Sequence, residues 1–277
     1  MKLHVQSIGA GPDIVLLHGW GLHADIWHDV AQQLAMRFRV TLIDLPGHGR
    51  STPMHVNEGH EYSLQHVAAC VAEVAPPHAA WLGWSLGGMI AMRVAMTSPQ
   101  RVAALILVAS TPQFVRGNDW PHAMDVAVLE SFSLALQENY AQTLQRFLAL
   151  VAYGTLPLAT LAHPCASQTR GAAQEQDTLR RLRSAAARHP PQYEALHGGL
   201  AILRDARLRP CLRQLTCPVQ IISGERDTLV PCEAGYVLQA QIPDARLHVM
   251  MAAGHAPFLS HPAEFINCVN GFLDEQR

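Results

Sequence analysis

The chain has 277 residues, of which 49% are hydrophobic and 15% are charged, and this composition excludes an intrinsically disordered protein. The formal net charge of −2 provides no overall attraction to nucleic acids or to anionic membranes, so neither is expected as a partner. A chain of this length can bury the core of one large α/β domain, or of one domain with an insertion.

The cysteines and the first residues indicate the compartment. The six cysteines are scattered, with no C-x-x-C pair and no zinc-finger spacing (Cys70, Cys165, Cys211, Cys217, Cys232, Cys268). Reduced thiols in the cytoplasm are therefore expected. The first residues lack a signal-peptide run, and no segment has the roughly 20 apolar residues of a membrane span. We expect a soluble, cytoplasmic, monomeric protein.

The first part of the chain alternates short apolar runs with helical patterns. The run Ile14 to Leu17 is typical of a strand buried on both faces of a parallel sheet. Strands are predicted at 3–8, 14–17, 40–43, 79–82 and 104–109, and helices at 25–34, 63–74 and 89–96. The fold class is therefore α/β, with a mostly parallel sheet and helices on both faces.

This alternation stops near residue 111 and resumes near residue 216. The intervening sequence has helical patterns at 126–136, 140–151 and 177–188 and no clear strand. Strands at 219–222 and 245–250 and helices at 233–242 and 262–273 then follow. We predict a core made of residues 1–111 and 216–277. The remaining segment, 112–215, is predicted to be a helical cap inserted over the strand ends, where ligands bind in open α/β sheets.

The segment Gly83 to Gly87 matches the pattern G-x-S-x-G, between a predicted strand and a predicted helix. In that context the pattern predicts a nucleophile elbow, a strained turn that exposes the hydroxyl of Ser85. Without that context the pattern is weak, because small residues are common, and the alternative is a glycine-rich turn with a solvated serine.

A serine hydroxyl needs a base to take its proton, and the base needs a carboxylate to fix its tautomer. In this type of fold the three residues occur in the order serine, acid, histidine, each after a strand. Ser85, Asp227 and His255 meet that order. Glu225 and Asp244 are alternatives for the acid; Asp227 is favoured because the turn before it and the Val-Pro after it leave it on the loop.

Two backbone N–H groups are predicted to bind the oxyanion that forms during attack on an ester. Leu86 follows the nucleophile at a helix N-terminus, and Trp20 lies in the loop after the strand 14–17. His18 is interpreted as a structural residue of that loop. Asp44 and His48 are interpreted as stabilising a glycine-rich turn.

No metal or cofactor site is predicted. His248, His255 and His261 lack the H-E-x-x-H spacing, and neither a phosphate-binding loop nor a dinucleotide fingerprint is present. A serine at position 85, instead of an aspartate, also argues against dehalogenase or epoxide-hydrolase chemistry. Hydrolysis without a cofactor is therefore the simplest interpretation.

The predicted cap is rich in arginine. Between Tyr140 and Pro210 there are nine arginines and four acidic residues. This bias fits a solvated helical surface and equally a docking surface for an acidic partner.

Taken together, the chain resembles the α/β-hydrolase superfamily and, within it, the pimeloyl-[acyl-carrier protein] methyl ester esterases of biotin synthesis. The resemblance rests on five stretches that extend from the first strands to the last helix: 16–21, 44–47, 81–88, 146–150 and 254–265. Trp84, the stretch around Phe147 and the stretch from His255 to Phe265 are its more specific parts.

The resemblance implies roles for residues that spacing alone does not assign. It implies the triad Ser85, Asp227 and His255, with Trp20 and Leu86 holding the oxyanion. Phe147, Leu148, Ala149, Leu150 and Val151 would line the acyl pocket together with Trp20, Ser85, Leu86 and His255. Arg146 corresponds to an arginine that receives the carrier protein, and further candidates lie in a more divergent part of the cap (Arg170, Arg180, Arg181, Arg183).

The function implied is demethylation of the pimeloyl methyl ester carried on acyl carrier protein. A general short-chain carboxylesterase or a C–C bond hydrolase with the same triad is the nearest alternative. A catalytically silent ligand receptor is a third, and the intact triad argues against it.

Overall fold

The computed structural model describes residues 1–54, 61–153 and 170–276, and the side chains of 170–172 are outside that description. The described residues contain strands β1 to β7 in chain order: Val5–Ile8, Asp13–Leu17, Arg39–Ile43, Ala79–Trp84, Val102–Val108, Val219–Gly224 and Ala245–Met250. They also contain helices α1 to α10: His28–Leu34, Leu64–Val74, Leu86–Thr97, Val126–Glu138, Tyr140–Tyr153, Arg170–Arg188, Tyr193–Asp205, Cys232–Gln241, Pro257–Ser260 and Pro262–Asp274.

The strands form one sheet in the order β1-β3-β2-β4-β5-β6-β7. The edge strand β1 pairs antiparallel with β3, and every other pairing is parallel. The central strand β4 is buried at all six positions, which requires cover on both faces of the sheet. The predicted architecture, a mostly parallel sheet between helices, is confirmed.

Most predicted elements are present, with shifted ends. Helix α2 begins after Ser63, whose hydroxyl accepts a hydrogen bond from the His66 N–H, as expected of an N-cap. The helix predicted from Asp25 is instead a 3-10 helix, Ala24–Trp27, followed by α1. No helix within the described ranges is both long and apolar enough to cross a bilayer.

Helices α4 to α7 lie between β5 and β6 in the chain, and we call residues 112–215 the insertion. Helix α4 packs against α5 and α7, and α5 packs against α6. The division of the chain at 111/112 and 215/216 stays a prediction. Residues 154–169 of the insertion, including Cys165, lie outside the described residues.

The parallel strands bring four loops to one edge of the sheet. Strands β2, β4, β6 and β7 end at Leu17, Trp84, Gly224 and Met250, all in the same direction. The residues that follow these ends carry Trp20, Ser85, Asp227 and His255, which the sequence singled out. The topology therefore gathers the candidate catalytic residues at the carboxyl edge of the sheet.

Candidate active site

Ser85 lies on a strained turn between β4 and α3. Its φ of 54° and ψ of −117° are rarely adopted by a residue with a side chain. An added Cβ at Gly83 would overlap the carbonyl oxygen of Gly87, and one at Gly87 would lie 2.6 Å from the His18 carbonyl oxygen. Glycine is therefore required on both sides of Ser85 to bring strand, helix and neighbouring loop together.

The backbone of Ser85 is fixed by two hydrogen bonds to β5 and the residues that follow it. Its N–H donates to the Val108 carbonyl at 3.0 Å, and its carbonyl accepts from Ser110 Oγ at 2.7 Å. Sequence reasoning missed Ser110, because a serine after an apolar strand carries no motif of its own.

Asp227 and His255 are brought into direct contact. His255 Nδ1 lies 2.8 Å from Asp227 Oδ2, and both side chains are buried. The other carboxylate oxygen, Oδ1, accepts from the N–H groups of Leu229 and Val230 at 2.9 and 3.0 Å. Because a carboxylate can only accept, the proton of a neutral His255 resides on Nδ1, and Nε2 carries the lone pair that a base would use.

Other ionisable residues considered from the sequence lie elsewhere. Glu225 is exposed and accepts from the Ala252 N–H at 2.8 Å, while Asp244 occupies a turn with a φ of 54°. His248 pairs with Glu264 at 2.9 Å on the surface. Among the described residues, no three or more histidine, cysteine or acidic side chains are placed to hold a metal ion.

The loop after β2 lies directly against the elbow. A Cβ added at Gly19 would be 3.3 Å from Ser85 Cβ. The next residue, Trp20, is buried, as is Leu86 at the start of α3. Within the described part of the chain, neither of their N–H groups has a hydrogen-bond partner. Two buried, unpaired donors beside a serine are what an oxyanion hole requires.

The elbow and the histidine loop are joined through Trp84. Its indole Nε1 donates to the His255 carbonyl oxygen at 2.7 Å, within the buried interior. Ser85 Oγ makes no hydrogen bond to His255 among the bonds of the described residues. Such a bond often tightens only when substrate is bound. The roles of Ser85, Asp227 and His255 in catalysis therefore stay predictions.

Two buried histidines stabilise the loops beneath the site. His18 Nδ1 donates to the Gly19 carbonyl at 2.8 Å, and its Nε2 accepts from the Leu45 N–H at 2.9 Å. His48 Nδ1 donates to the Pro46 carbonyl at 3.0 Å. Burial lowers the pKa of both histidines to about 3, so both are neutral. This geometry agrees with the structural roles expected for them.

Comparison with known proteins assigns the family. A sequence model of the family described as "alpha/beta hydrolase fold" matches residues 12–262, most of the chain. The chain belongs to the α/β-hydrolase family.

The relatives of this α/β-hydrolase match it over its full length. The pimeloyl-[acyl-carrier protein] methyl ester esterase of Aeromonas salmonicida (strain A449) is 40% identical, with 99% of this chain and 100% of that protein aligned. The protein of the same name from Nitrosomonas europaea is 39% identical, with 96% and 98% aligned.

Solved structures agree on the fold. The esterase EaEST from Exiguobacterium antarcticum has a TM-score of 0.81 at 22% identity, covering 99% of this chain and 96% of that one. The enol-lactonase from Burkholderia xenovorans LB400 has a TM-score of 0.79 at 19% identity, covering 98% and 96%. At these identities the likeness concerns the fold alone.

The residues expected to line the acyl pocket lie on α5, and all of them are buried (Phe147, Leu148, Ala149, Leu150, Val151). The ring of Phe147 packs edge-on against Trp20, with centroids 4.6 Å apart. Val151 lines a small cleft together with Gly254 and Ala256, which flank His255. Because residues four apart share a helix face, Phe147 and Val151 extend from the Trp20 loop to the histidine loop. The pocket itself stays a prediction.

The candidate docking arginines occupy two neighbouring helices of the insertion. Arg180 pairs with Asp177, and Arg181 pairs with Asp29 of the core. Arg146 on α5 and Arg183 on α6 are exposed, and neither forms an ion pair with a described residue. Helix α6 begins at Arg170, whose side chain is outside the described residues.

Proposed function

We propose that this α/β-hydrolase is a serine carboxylester hydrolase that removes the methyl group from pimeloyl-[acyl-carrier protein] methyl ester and so supplies biotin synthesis. The assignment of the substrate rests on the 40% identity to a relative with that name, over its full length. The chemistry rests on the buried Asp227–His255 pair and on Ser85, which lies on a strained turn and follows Trp84, the residue bonded to the His255 carbonyl.

In the first half of the reaction, Ser85 becomes acylated. His255 Nε2 takes the hydroxyl proton while Ser85 Oγ attacks the ester carbonyl carbon. Asp227 stabilises the imidazolium that forms, and the N–H groups of Trp20 and Leu86 hold the oxyanion. The C–O bond to the methoxy group then breaks, and His255 donates its proton to the departing methanol.

In the second half, water releases the acid. His255 Nε2 removes a proton from water, whose oxygen attacks the acyl carbon. Collapse of this second oxyanion breaks the bond to Ser85 Oγ, and His255 returns the proton to that oxygen. The products are methanol and a pimeloyl chain with a free carboxylate, still attached to its carrier.

The partner in this proposal is acyl carrier protein, an acidic protein that would dock on the exposed arginines of α5 and α6. Among the candidate arginines whose side chains are described, Arg146 and Arg183 are the most available cations, because Arg180 and Arg181 already pair with carboxylates. Surface attraction of this kind raises the association rate and weakens with salt.

The direct test compares hydrolysis of pimeloyl-carrier-protein methyl ester with that of free p-nitrophenyl acetate. Ser85→Ala serves as the inactive control, expected to lose about 10⁴-fold or more in kcat. A higher kcat/KM for the carrier-bound ester supports the proposal. Turnover of the aryl ester alone would leave a general carboxylesterase, and turnover of neither would refute the proposed chemistry.

The carrier dependence has its own test. Arg146→Glu and Arg183→Glu should each lower kcat/KM for the carrier-bound ester about tenfold and leave p-nitrophenyl acetate turnover unchanged. Arg246→Glu makes the same charge change on β7 of the core, where Arg246 pairs with Glu275, and serves as the control. Equal loss with all three variants would point to general electrostatics and away from docking on the insertion.

A further inference from the structure

Trp20, a proposed oxyanion donor through its backbone, is held by the insertion through its side chain. Its indole Nε1 donates to the Leu196 carbonyl oxygen on α7 at 2.8 Å, and the bond is buried. The ring also packs against Phe147 on α5. The only described partner of this indole N–H is therefore a carbonyl of the insertion.

Helix α7 approaches Trp20 at a position that only glycine permits. A Cβ added at Gly199 would lie 2.6 Å from Trp20 Cδ1 and 3.0 Å from its Nε1. The same added atom would lie 3.5 Å from Leu86 Cδ2. One turn of α7 thus touches the side chains of both proposed oxyanion donors.

The residues after Trp20 are fixed by two more helices of the insertion. His23 Nε2 donates to the Ala185 carbonyl of α6 at 2.7 Å, while its Nδ1 accepts from the Asp25 N–H at 3.3 Å. Gly21 has a φ of 75°, and a Cβ there would lie 2.8 Å from Leu144 Cδ1 on α5. The segment Trp20–His23 is consequently shaped by α5, α6 and α7 together.

We infer that α7 is a positioning element for catalysis, in which the Leu196 carbonyl and Gly199 set the orientation of Trp20 and thereby of its backbone N–H. This inference rests on the proposed function, since it concerns the oxyanion hole of that reaction. An oxyanion donor acts at hydrogen-bond distance, and loss of one such donor lowers kcat about 10²- to 10³-fold. In this inference, the Trp20 N–H points toward the oxyanion only while α7 of the insertion packs against the Trp20 indole.

The test uses Gly199→Ala, which pushes the indole away from α7, and Gly271→Ala as its matched control. Gly271 lies in α10, and a Cβ there meets nothing within 4 Å. Kinetics of p-nitrophenyl acetate hydrolysis are measured with the full chain. Gly199→Ala should lower kcat by about tenfold or more with KM within about twofold, and Gly271→Ala should change neither.

A second variant separates positioning from general damage. Trp20→Ala removes the Nε1 donor and the whole ring, including both atoms that would meet the new Cβ, and it should itself lower kcat by about tenfold or more. In that background, Gly199→Ala should have less than about a twofold further effect, because both changes act through the same ring. A purely structural role for Gly199 would instead give independent losses, seen equally in the thermal midpoint.

The kinetic results distinguish failure of the proposed function from failure of the inference about α7. Wild-type turnover that Ser85→Ala fails to abolish overturns the proposed function and, with it, this inference. Ser85-dependent turnover with an unchanged kcat in Gly199→Ala overturns the inference alone. If Gly199→Ala does not fold, a wild-type kcat in Trp20→Ala overturns the inference in the same way.

Discussion

The Trp84 indole Nε1 donates a 2.7 Å hydrogen bond to the backbone carbonyl of His255, 171 residues away in the chain. Trp84 immediately precedes the candidate nucleophile, so one side chain connects the elbow to the loop of the candidate base. Its ring is also packed edge-on against Phe258, with centroids 5.1 Å apart. The distance between Ser85 and His255 therefore depends on the placement of a buried indole.

Replacing Trp84 by phenylalanine should weaken both folding and catalysis. The ring contacts remain in part, but the His255 carbonyl loses its buried donor, which costs about 1–3 kcal/mol in free energy of unfolding. A shift of His255 by a fraction of an ångström should lower kcat by about 10- to 100-fold. Denaturant unfolding and ester hydrolysis measure the two effects.

The matched control is Trp81→Phe, three residues earlier on the same strand. Trp81 is equally buried, but its Nε1 donates to the Arg101 carbonyl at 3.3 Å. Among the described residues, Trp81 forms neither a hydrogen bond nor a ring contact with the histidine loop. We expect Trp81→Phe to lose stability and to retain kcat. An equal loss of kcat in both variants would contradict the role assigned to Trp84.

Asp227→Asn should abolish most activity and leave the fold intact. The amide oxygen of asparagine can still accept from Leu229 and Val230, whereas its NH₂ would face His255 Nδ1 and favour the wrong tautomer. A loss of about 10⁴-fold in kcat is expected, with a nearly unchanged thermal midpoint. Glu225→Gln is the control, because Glu225 also follows β6 but is exposed and accepts a hydrogen bond from the Ala252 N–H. A loss below tenfold in Asp227→Asn would point to a different acid.

The elements of the core could be predicted because their strands are uninterrupted apolar runs between clear turns. The apolar pattern predicts that β4 ends at Leu82, two residues early, because Gly83 interrupts the pattern although it continues the ladder with β5. The sequence predicts a helical segment here but no separate helix at the position of α7. It carries Gly198 and Gly199 at its centre, and two glycines argue against a helix by propensity. Contacts with Tyr62 and Trp20, which require glycine, override that propensity.

In the candidate site, the sequence likewise predicts some features and not others. Ser85, Asp227 and His255 could be placed from chain order and strand ends, because the fold fixes where such loops meet. The bonds from Trp84 to His255 and from Trp20 to Leu196 could not, because they join residues 171 and 176 positions apart. Nothing local in the sequence specifies a partner at that distance.

Gly83→Ala should destabilise the protein strongly. The added Cβ would overlap the carbonyl oxygen of Gly87, a backbone atom that cannot rotate away. Overpacking of this kind costs about 1–3 kcal/mol and occasionally more. Gly271→Ala, where the space is open, should instead raise the free energy of unfolding by up to about 1 kcal/mol. Urea unfolding of both variants tests the prediction, and equal stability of Gly83→Ala and wild type would refute it.

Stability should fall as the pH drops below about 6.5, because His18 and His48 must be neutral in the folded protein. Their pKa values are lowered to about 3 by burial, against 6.5 in the unfolded chain. Between pH 6.5 and 3 the unfolded chain therefore binds more protons, and each histidine removes about 1.4 kcal/mol of stability per pH unit. Above pH 6.5 both are neutral in either state, and their contribution is constant.

His48→Asn tests this pH dependence. The asparagine Nδ2 can donate to the Pro46 carbonyl in place of His48 Nδ1, so that bond is retained, while the titrating group is removed. The loss of unfolding free energy between pH 7.5 and 5.5 should be smaller in the variant by about 1.4 kcal/mol, the share of one histidine. Parallel curves for the variant and the wild type would mean that His48 is not held neutral by the fold, and that the pH dependence arises elsewhere.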